Sequence, residues 1–151
     1  MSAMTKPAVL AALLFPALLF LTVRGKEVGR VPFSGEGTNT AATVLSAGKV
    51  AFWTDIDLQY EGAAALEYRI ALVQGGTPVA TAICHPLGFL GTKFMWVEVD
   101  RGPSHSRSGS GKMDCSATLS KGGPTTVEAT LEFTVRPLRA TTSKADLVLK
   151  Q

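Results

Sequence analysis

Apolar and polar residues alternate along Lys49–Tyr60, and this pattern predicts an extended strand with one buried face. Successive side chains of a strand point to opposite faces, so even and odd positions separate. The expected inward face carries Val50, Phe52, Thr54, Ile56, Leu58 and Tyr60, and the expected outward face carries Ala51, Trp53, Asp55, Asp57 and Gln59. Thr126–Arg136 alternates similarly and predicts a second half-buried strand.

Shorter runs predict weaker strands at Ala41–Leu45, Val79–Cys84, Thr92–Asp100, Met113–Leu119 and Lys144–Lys150. Ala65–Val73 fits both a strand and a helix. We choose the strand, because the Gly-Gly-Thr-Pro sequence that follows it can close a hairpin. Short strands between turns, without a long amphipathic helix, predict an all-β fold: an antiparallel β-sandwich, jelly-roll or immunoglobulin-like, of about 7–8 short strands.

Two neighbouring segments break the simple alternation. Thr92–Asp100 carries apolar residues on both faces, which predicts a strand that is central or covered. Arg101–Gly111 has the sequence RGPSHSRSGSG and offers nothing apolar to bury. We therefore expect a mobile surface loop there, and we expect trypsin to cut the folded protein first between Arg101 and Lys112.

Residues 1–25 predict a signal peptide, because Lys6 precedes an uncharged apolar run that ends at Arg24. As a helix this run would span roughly 25 Å, less than the hydrocarbon core of a membrane, about 30 Å. We expect cleavage after Gly25. An uncleaved N-terminal membrane anchor is the alternative, because further basic residues follow the run. Both readings predict an extracytoplasmic protein, either secreted or periplasmic.

The charge balance argues against nucleic acid as a partner. The chain has 15 basic and 12 acidic residues, and loss of the signal peptide removes two basic ones, which leaves a net charge near +1. A nearly neutral chain has no long-range field to attract a polyanion such as DNA or RNA. The remaining residues, 26–151, have a length that suits a single β-sandwich domain. A membrane partner is expected only if the N-terminal segment stays uncleaved.

Cys84 and Cys115 are the two cysteines of the chain. In an exported protein two cysteines predict one disulfide. The bond would close a loop of about 31 residues and would stabilise the fold by roughly 3–4 kcal/mol in the chain-entropy model. We expect the two Cα atoms about 4.4–6.8 Å apart. Two unpaired buried thiols are the alternative.

No catalytic motif is complete in the sequence, and we expect neither a catalytic residue nor a cofactor. Cys84 next to His85 could form a nucleophilic pair only if the cysteine were free. Ser108 and Ser110 lack the glycine spacing of a nucleophile elbow, and the segment ending at Lys112 lacks the residues of a phosphate-binding loop. The sequence therefore leaves enzyme activity open, and we favour a protein without it.

Metal binding is also weakly supported. Two histidines and a disulfide cannot make a zinc site of ordinary spacing. Asp55 and Asp57 would lie about 6.8 Å apart along one strand face, which is wide for calcium without further oxygen ligands. We predict no metal site.

The outward face of the Lys49–Tyr60 strand is the remaining candidate site. If Trp53 is exposed, its ring forms an apolar plate beside the acceptors Asp55, Asp57 and Gln59, and such a surface suits sugars or extended peptides. Alternatively, another part of the protein covers Trp53, and the aspartates only keep the strand soluble. The hypothesis requires an exposed indole whose removal leaves folding intact.

Two functions remain open. We favour an exported, non-catalytic β-sandwich that acts as a binding or structural module of the cell envelope or the secreted fraction, with an unknown ligand or protein partner that could be a carbohydrate. The alternative is a secreted hydrolase that uses paired carboxylates, Asp55 or Asp57 with Glu98 or Asp100, or a secreted enzyme inhibitor that presents Arg101–Gly111. The hydrolase requires the Lys49 strand to lie beside the Thr92 strand.

Overall fold

The computed structural model describes residues 25–88 and 90–151 as nine strands without a helix. The strands are β1 (Glu27–Val31), β2 (Gly37–Leu45), β3 (Gly48–Glu61), β4 (Ala65–Gln74), β5 (Thr77–Cys84), β6 (Leu90–Arg101), β7 (Ser104–Leu119), β8 (Gly123–Val135) and β9 (Arg139–Lys150). The predicted signal peptide or membrane anchor lies almost entirely outside the described residues. Within them, no helix is long and apolar enough to span a membrane.

The strands form two antiparallel sheets that pack as a sandwich. One sheet has five strands in the order β1-β9-β3-β7-β6, and the other has four in the order β2-β8-β4-β5. The predicted all-β sandwich is therefore confirmed, with nine strands in place of the expected seven or eight. The ambiguous Ala65 segment is strand β4, and Gly75 and Gly76, both at positive φ, close its hairpin to β5.

The inward residues of β3 fill the core, as their alternation predicts. Val50, Phe52, Ile56 and Leu58 are fully buried against β4, β8 and β9 residues of the same cluster. Tyr68 of β4 is also buried, and its hydroxyl donates to the carbonyl of Ala145 at 2.7 Å and lies 3.0 Å from the Thr54 hydroxyl. Burial raises the pKa of this phenol, so it remains a neutral hydrogen-bonding group in the core.

The predicted disulfide is confirmed, with Cys84 and Cys115 joined and their Cα atoms 5.4 Å apart. Cys84 ends β5 in the four-stranded sheet, whereas Cys115 lies in β7 of the five-stranded sheet. The bond therefore ties the two layers together. A disulfide of this kind is compatible with an extracytoplasmic protein, since such bonds persist where the surroundings are oxidising.

The predicted mobile loop at Arg101–Gly111 is wrong. A short turn after Arg101 leads into β7, which begins at Ser104 and pairs with β3 on one side and β6 on the other. Backbone hydrogen bonding on both edges orders this segment, although its side chains contribute almost no apolar area. The expectation that trypsin cuts first here loses its physical basis, because a central strand is a poor protease substrate.

The prediction for Thr92–Asp100 is half right. The segment is a strand, β6, but it lies at the edge of its sheet and exposes Phe94, Met95, Val97 and Val99. A bulge at Met95 and Trp96 shifts the side-chain phase by one residue, because Phe94 pairs with Ser110 and Val97 already pairs with Ser108. This shift explains why the sequence shows apolar residues in both phases.

The bulge fits against Gly109 of β7. Met95 has φ of 51°, and a Cβ atom added at Gly109 would lie 2.4 Å from the Met95 carbonyl oxygen and 2.7 Å from the Cα of Trp96. Gly109 itself has φ of +132°, a conformation that other residues rarely adopt. The contact between β6 and β7 therefore requires glycine at this position.

We predict that Gly109→Ala destabilises the protein by about 2–4 kcal/mol, since the new methyl group both clashes with the backbone and strains φ. The free energy of unfolding from urea titration measures this loss. Gly35→Ala is the matched control, because a Cβ there meets no atom within 4 Å. Equal stability of the two variants would show that β6 does not approach Gly109 so closely.

Candidate functional site

The outer face of the five-stranded sheet, the side turned away from the sandwich core, carries the predicted ligand-binding residues. Paired residues of neighbouring strands share a face, so the strand register arranges this surface in rows. From β6 through β7 and β3 to β9, the rows are Arg101, Ser104, Glu61, Arg139; then Val99, Ser106, Gln59, Thr141; then Val97, Ser108, Asp57, Lys144; then Phe94, Ser110, Asp55, Asp146; and finally Thr92, Lys112, Trp53, Val148.

Trp53 is buried, so the exposed indole required by the sequence hypothesis is absent from the structure. Its exposed fraction is 4%, and the ammonium group of Lys150 lies 3.9 Å from the ring centroid. Val148, the neighbour on β9, is also buried. A cation over an indole face is an attractive interaction that also shields the ring from water. Trp53 therefore contributes to packing of the outer face rather than presenting a free apolar plate.

Asp55 is occupied by ion pairs from two other strands. Its carboxylate accepts hydrogen bonds from Lys144 at 2.7 Å and Arg30 at 3.1 Å, and Arg30 also binds Asp146 and Glu27. Partial burial alone would raise the pKa of Asp55, but the bonds from Lys144 and Arg30 outweigh it and hold the pKa below its ordinary 3.8. The charged groups in this half of the predicted face therefore bind one another.

Asp57 and Gln59 form the open half of the predicted face. Both side chains are exposed, and neither forms an ion pair or a side-chain hydrogen bond within the described part of the chain. On β7 they face Ser108 and Ser106, respectively. Of the four predicted ligand-binding residues, these two remain available to a ligand.

A column of serines on β7 runs beside them. Ser104, Ser106, Ser108 and Ser110 all lie on the outer face, because they pair with Glu61, Gln59, Asp57 and Asp55 of β3. Larger side chains flank this column, with Val97, Val99 and Phe94 of β6 on one side and the β3 residues on the other. Four small residues between taller neighbours make a groove about 20 Å long, which we call the serine groove.

The end of the serine groove opens into a cavity of about 500 Å³. Eight residues of the outer face line it across four strands: Val99, Arg101, Ser104, Ser106, Gln59, Glu61, Arg139 and Thr141. Its volume lies in the usual range of ligand sites. The cavity therefore joins the open half of the predicted face to the serine groove.

The carboxylate pair of the hydrolase hypothesis does not form. Strand β7 separates β3 from β6, so the required neighbouring pair of strands is missing. In addition, Glu98 pairs with Arg107, which pairs with the core-facing Leu58, so Glu98 lies on the face opposite Asp57. Asp100 lies on the same inner face, because it pairs with His105, which pairs with the inward-facing Tyr60. The two sets of carboxylates cannot act on one substrate.

The two histidines take part in local contacts. His105 lies 2.6 Å from Asp100 through Nδ1, and its ring packs on Tyr60 with centroids 4.9 Å apart. His105 and Arg107 hold the pKa of Asp100 below its ordinary value through hydrogen bonds. His85 lies 3.5 Å from Glu67, and its neighbour Cys84 is in the disulfide and is therefore unavailable as a nucleophile. Among the described residues, no group of side chains is arranged to hold a metal ion.

Sequence reasoning missed the serine groove, although a signal was present. Serines at every second position from Ser104 to Ser110 follow the two-residue period of a strand.

Comparisons of the chain with family models, with curated proteins and with solved structures give no match. The geometry of the described residues is therefore the basis for any functional assignment.

We predict that Asp55→Asn lowers the free energy of unfolding by about 1–2 kcal/mol at neutral pH, because Lys144 and Arg30 lose a charged partner. The lowered pKa of Asp55 means that its pairing stabilises the fold above the ordinary value of 3.8 and is lost as pH falls through the folded pKa. The difference between variant and wild type should therefore shrink in acid. Urea titrations at about pH 7 and about pH 2.5 measure it.

Asp57→Asn is the control for this measurement. Asp57 lies two residues along the same face without an ion pair in the described part of the chain, so its amide variant should match the wild type in stability. A loss at Asp55 that stays constant over the whole pH range would contradict the ion-pair explanation.

Proposed function

We propose that this chain is an exported, non-catalytic β-sandwich that binds an extended ligand in the serine groove of its outer face. The single observation that supports this most directly is the cavity of about 500 Å³ at the end of the groove, lined by Gln59, Ser104 and Ser106. A groove with an adjoining cavity on a sheet positions side chains well for binding, since strands hold them at fixed spacings.

The chemistry of the groove favours a ligand that is rich in hydroxyl groups. Serine hydroxyls both donate and accept hydrogen bonds, and the Gln59 amide does the same. Asp57 accepts from hydroxyl groups of a ligand. The opposite wall is apolar, with Val97 and Val99 more than two-fifths exposed, so it can cover the C–H face of a sugar ring. A carbohydrate chain combines these two properties.

Export is part of the proposal. The disulfide between the sheets favours an oxidising compartment, and the sequence of residues 1–25 has the features of a signal peptide. We place the protein outside the cytoplasm, in the periplasm or the secreted fraction, where glycans of the cell envelope would be within its reach.

A binding function accounts for the outer face better than a hydrolase does. Hydrolysis of a glycoside would need two carboxyl groups facing one bond. Along the serine groove, Asp57 is flanked by Ser108, and the next carboxylate on β3, Asp55, is bound to Lys144 and Arg30. At the cavity end of the same strand, Glu61 lies 3.8 Å from Arg139, so the groove offers recognition groups without a second unpaired carboxyl opposite Asp57.

We predict that Ser108→Tyr blocks binding, because a large ring in the middle of the groove floor fills the space between β6 and β3. A panel of soluble oligosaccharides, titrated by calorimetry, identifies the wild-type ligand and its affinity. The variant should lose about tenfold or more of that affinity, the equivalent of about 1.4 kcal/mol.

Ser116→Tyr is the matched control, since Ser116 lies on the same strand and the same face but beyond the groove, opposite Ala51. It should bind like the wild type. Full affinity in Ser108→Tyr would show that the ligand binds elsewhere, and no affinity of the wild type for any glycan of the panel would exclude carbohydrate as its ligand.

A further inference from the structure

The cations of the outer face fall into two groups. Arg30 and Lys144 pair with carboxylates, Arg139 lies 3.8 Å from Glu61, and Lys150 covers Trp53. Three further cations lie on this face: Lys49 is beyond the groove, opposite Thr118, whereas Arg101 and Lys112 flank the serine groove. Neither Arg101 nor Lys112 has a carboxylate within ion-pair distance among the residues that the structure describes.

These two cations stand at opposite ends of the serine groove. Arg101 of β6 pairs with Ser104, the first serine of the column, and also lines the large cavity. Lys112 follows Ser110 by two residues on β7 and shares its face. Ser104 and Lys112 are eight residues apart along one strand, so the backbone positions of the two cations lie about 27 Å apart along the sheet.

We propose that the ligand of the serine groove is an acidic glycan, a chain of sugar rings that bears carboxylates along its length. This inference rests on the proposed function and adds the charge of the ligand to it. An extended polyanion places negative groups at both ends of the groove, where Arg101 and Lys112 meet them, while its hydroxyl groups contact the serines between them.

The distribution of charge within the groove fits this class of ligand. Asp57 stands near the middle of the groove wall, where it can accept hydrogen bonds from the ligand's hydroxyl groups, while the cations that attract its carboxylates lie at the two ends. The guanidinium of Arg101 offers paired donors that suit a carboxylate. Long-range attraction contributes little, because loss of residues 1–25 leaves a net charge near +1, so binding depends on these local contacts.

A matched pair of probes separates the charge of the ligand from its shape. The first probe is an oligogalacturonate, and the second is the same oligosaccharide fully methyl-esterified, which keeps the rings and removes the negative charges. Calorimetric titration of the exported protein with each probe, at low and at high salt, gives the two affinities. We expect the acid to bind about tenfold or more tightly than the ester, and we expect salt to weaken only the acid.

Variants locate the effect. Arg101→Gln and Lys112→Gln should each lower the affinity for the oligogalacturonate by about five- to tenfold, and the double variant should bind acid and ester alike. Lys121→Gln removes the same charge from the turn that follows β7, far along the chain from the serines, and should leave the affinity unchanged. Thermal unfolding of each variant verifies that the fold is intact.

The outcomes distinguish the two proposals. If the wild type binds the acid and the ester equally, and Ser108→Tyr binds neither, the proposed function is kept and the acidic ligand is overturned. Binding of neither probe would overturn the acidic ligand, and the wider oligosaccharide panel then decides the proposed function. Binding of polyglutamate as tightly as the oligogalacturonate would also overturn the inference, since the groove would then recognise acidic peptides.

Discussion

The order of the five-stranded sheet depends on backbone hydrogen bonds along β7. The first half of this strand, Ser104–Gly111, contains no apolar side chain, and it is nevertheless paired on both edges. Backbone groups of a central strand need partners on each side, and β3 and β6 supply them. Gly109 permits the close approach of β6, since any Cβ there would meet the bulge. Without this pairing, β6 would lose its only neighbour in the described sheet.

Hydrophobic alternation predicted the strands whose inner faces meet the core. β3, β4 and β8 are examples, because burial on one side imposes a two-residue period on their sequences. The same rule failed for the start of β7, whose inward residues His105 and Arg107 contact Tyr60 and Asp100 and carry no apolar pattern. In β6 the bulge exchanges the inward and outward positions part-way along the strand. The sequence of that strand alone does not show where the exchange occurs.

The candidate site was only partly predictable for a related reason. The alternation of apolar and polar residues correctly placed the four candidate residues on the outer face. Asp57 and Gln59 are exposed, as the hypothesis requires. The fate of Asp55 depends on Arg30 and Lys144, which come from strands 25 and 89 residues away in sequence. Contacts between distant strands are set by sheet order, and the sequence pattern of one strand does not contain that order. The result is an outer face divided into a self-paired half and an open half.

The division has a physical consequence for binding. Where charges satisfy one another and Lys150 covers Trp53, a ligand would have to displace existing contacts. Along the serine groove, Ser104 is exposed, the other three serines are half-buried and the apolar wall is exposed, so a ligand displaces water from this surface. The groove exists because β7 combines small outward residues with full backbone pairing, so the strand and the proposed site depend on the same feature.

Amide hydrogen exchange along β7 tests this feature most directly. A central strand predicts slow exchange for the amides of residues 105–110, comparable with those of the core strand β3, despite a composition of serine, glycine, histidine and arginine. Exchange as fast as in an unstructured peptide would contradict the account, because a mobile segment there would leave neither a five-stranded sheet nor a serine groove.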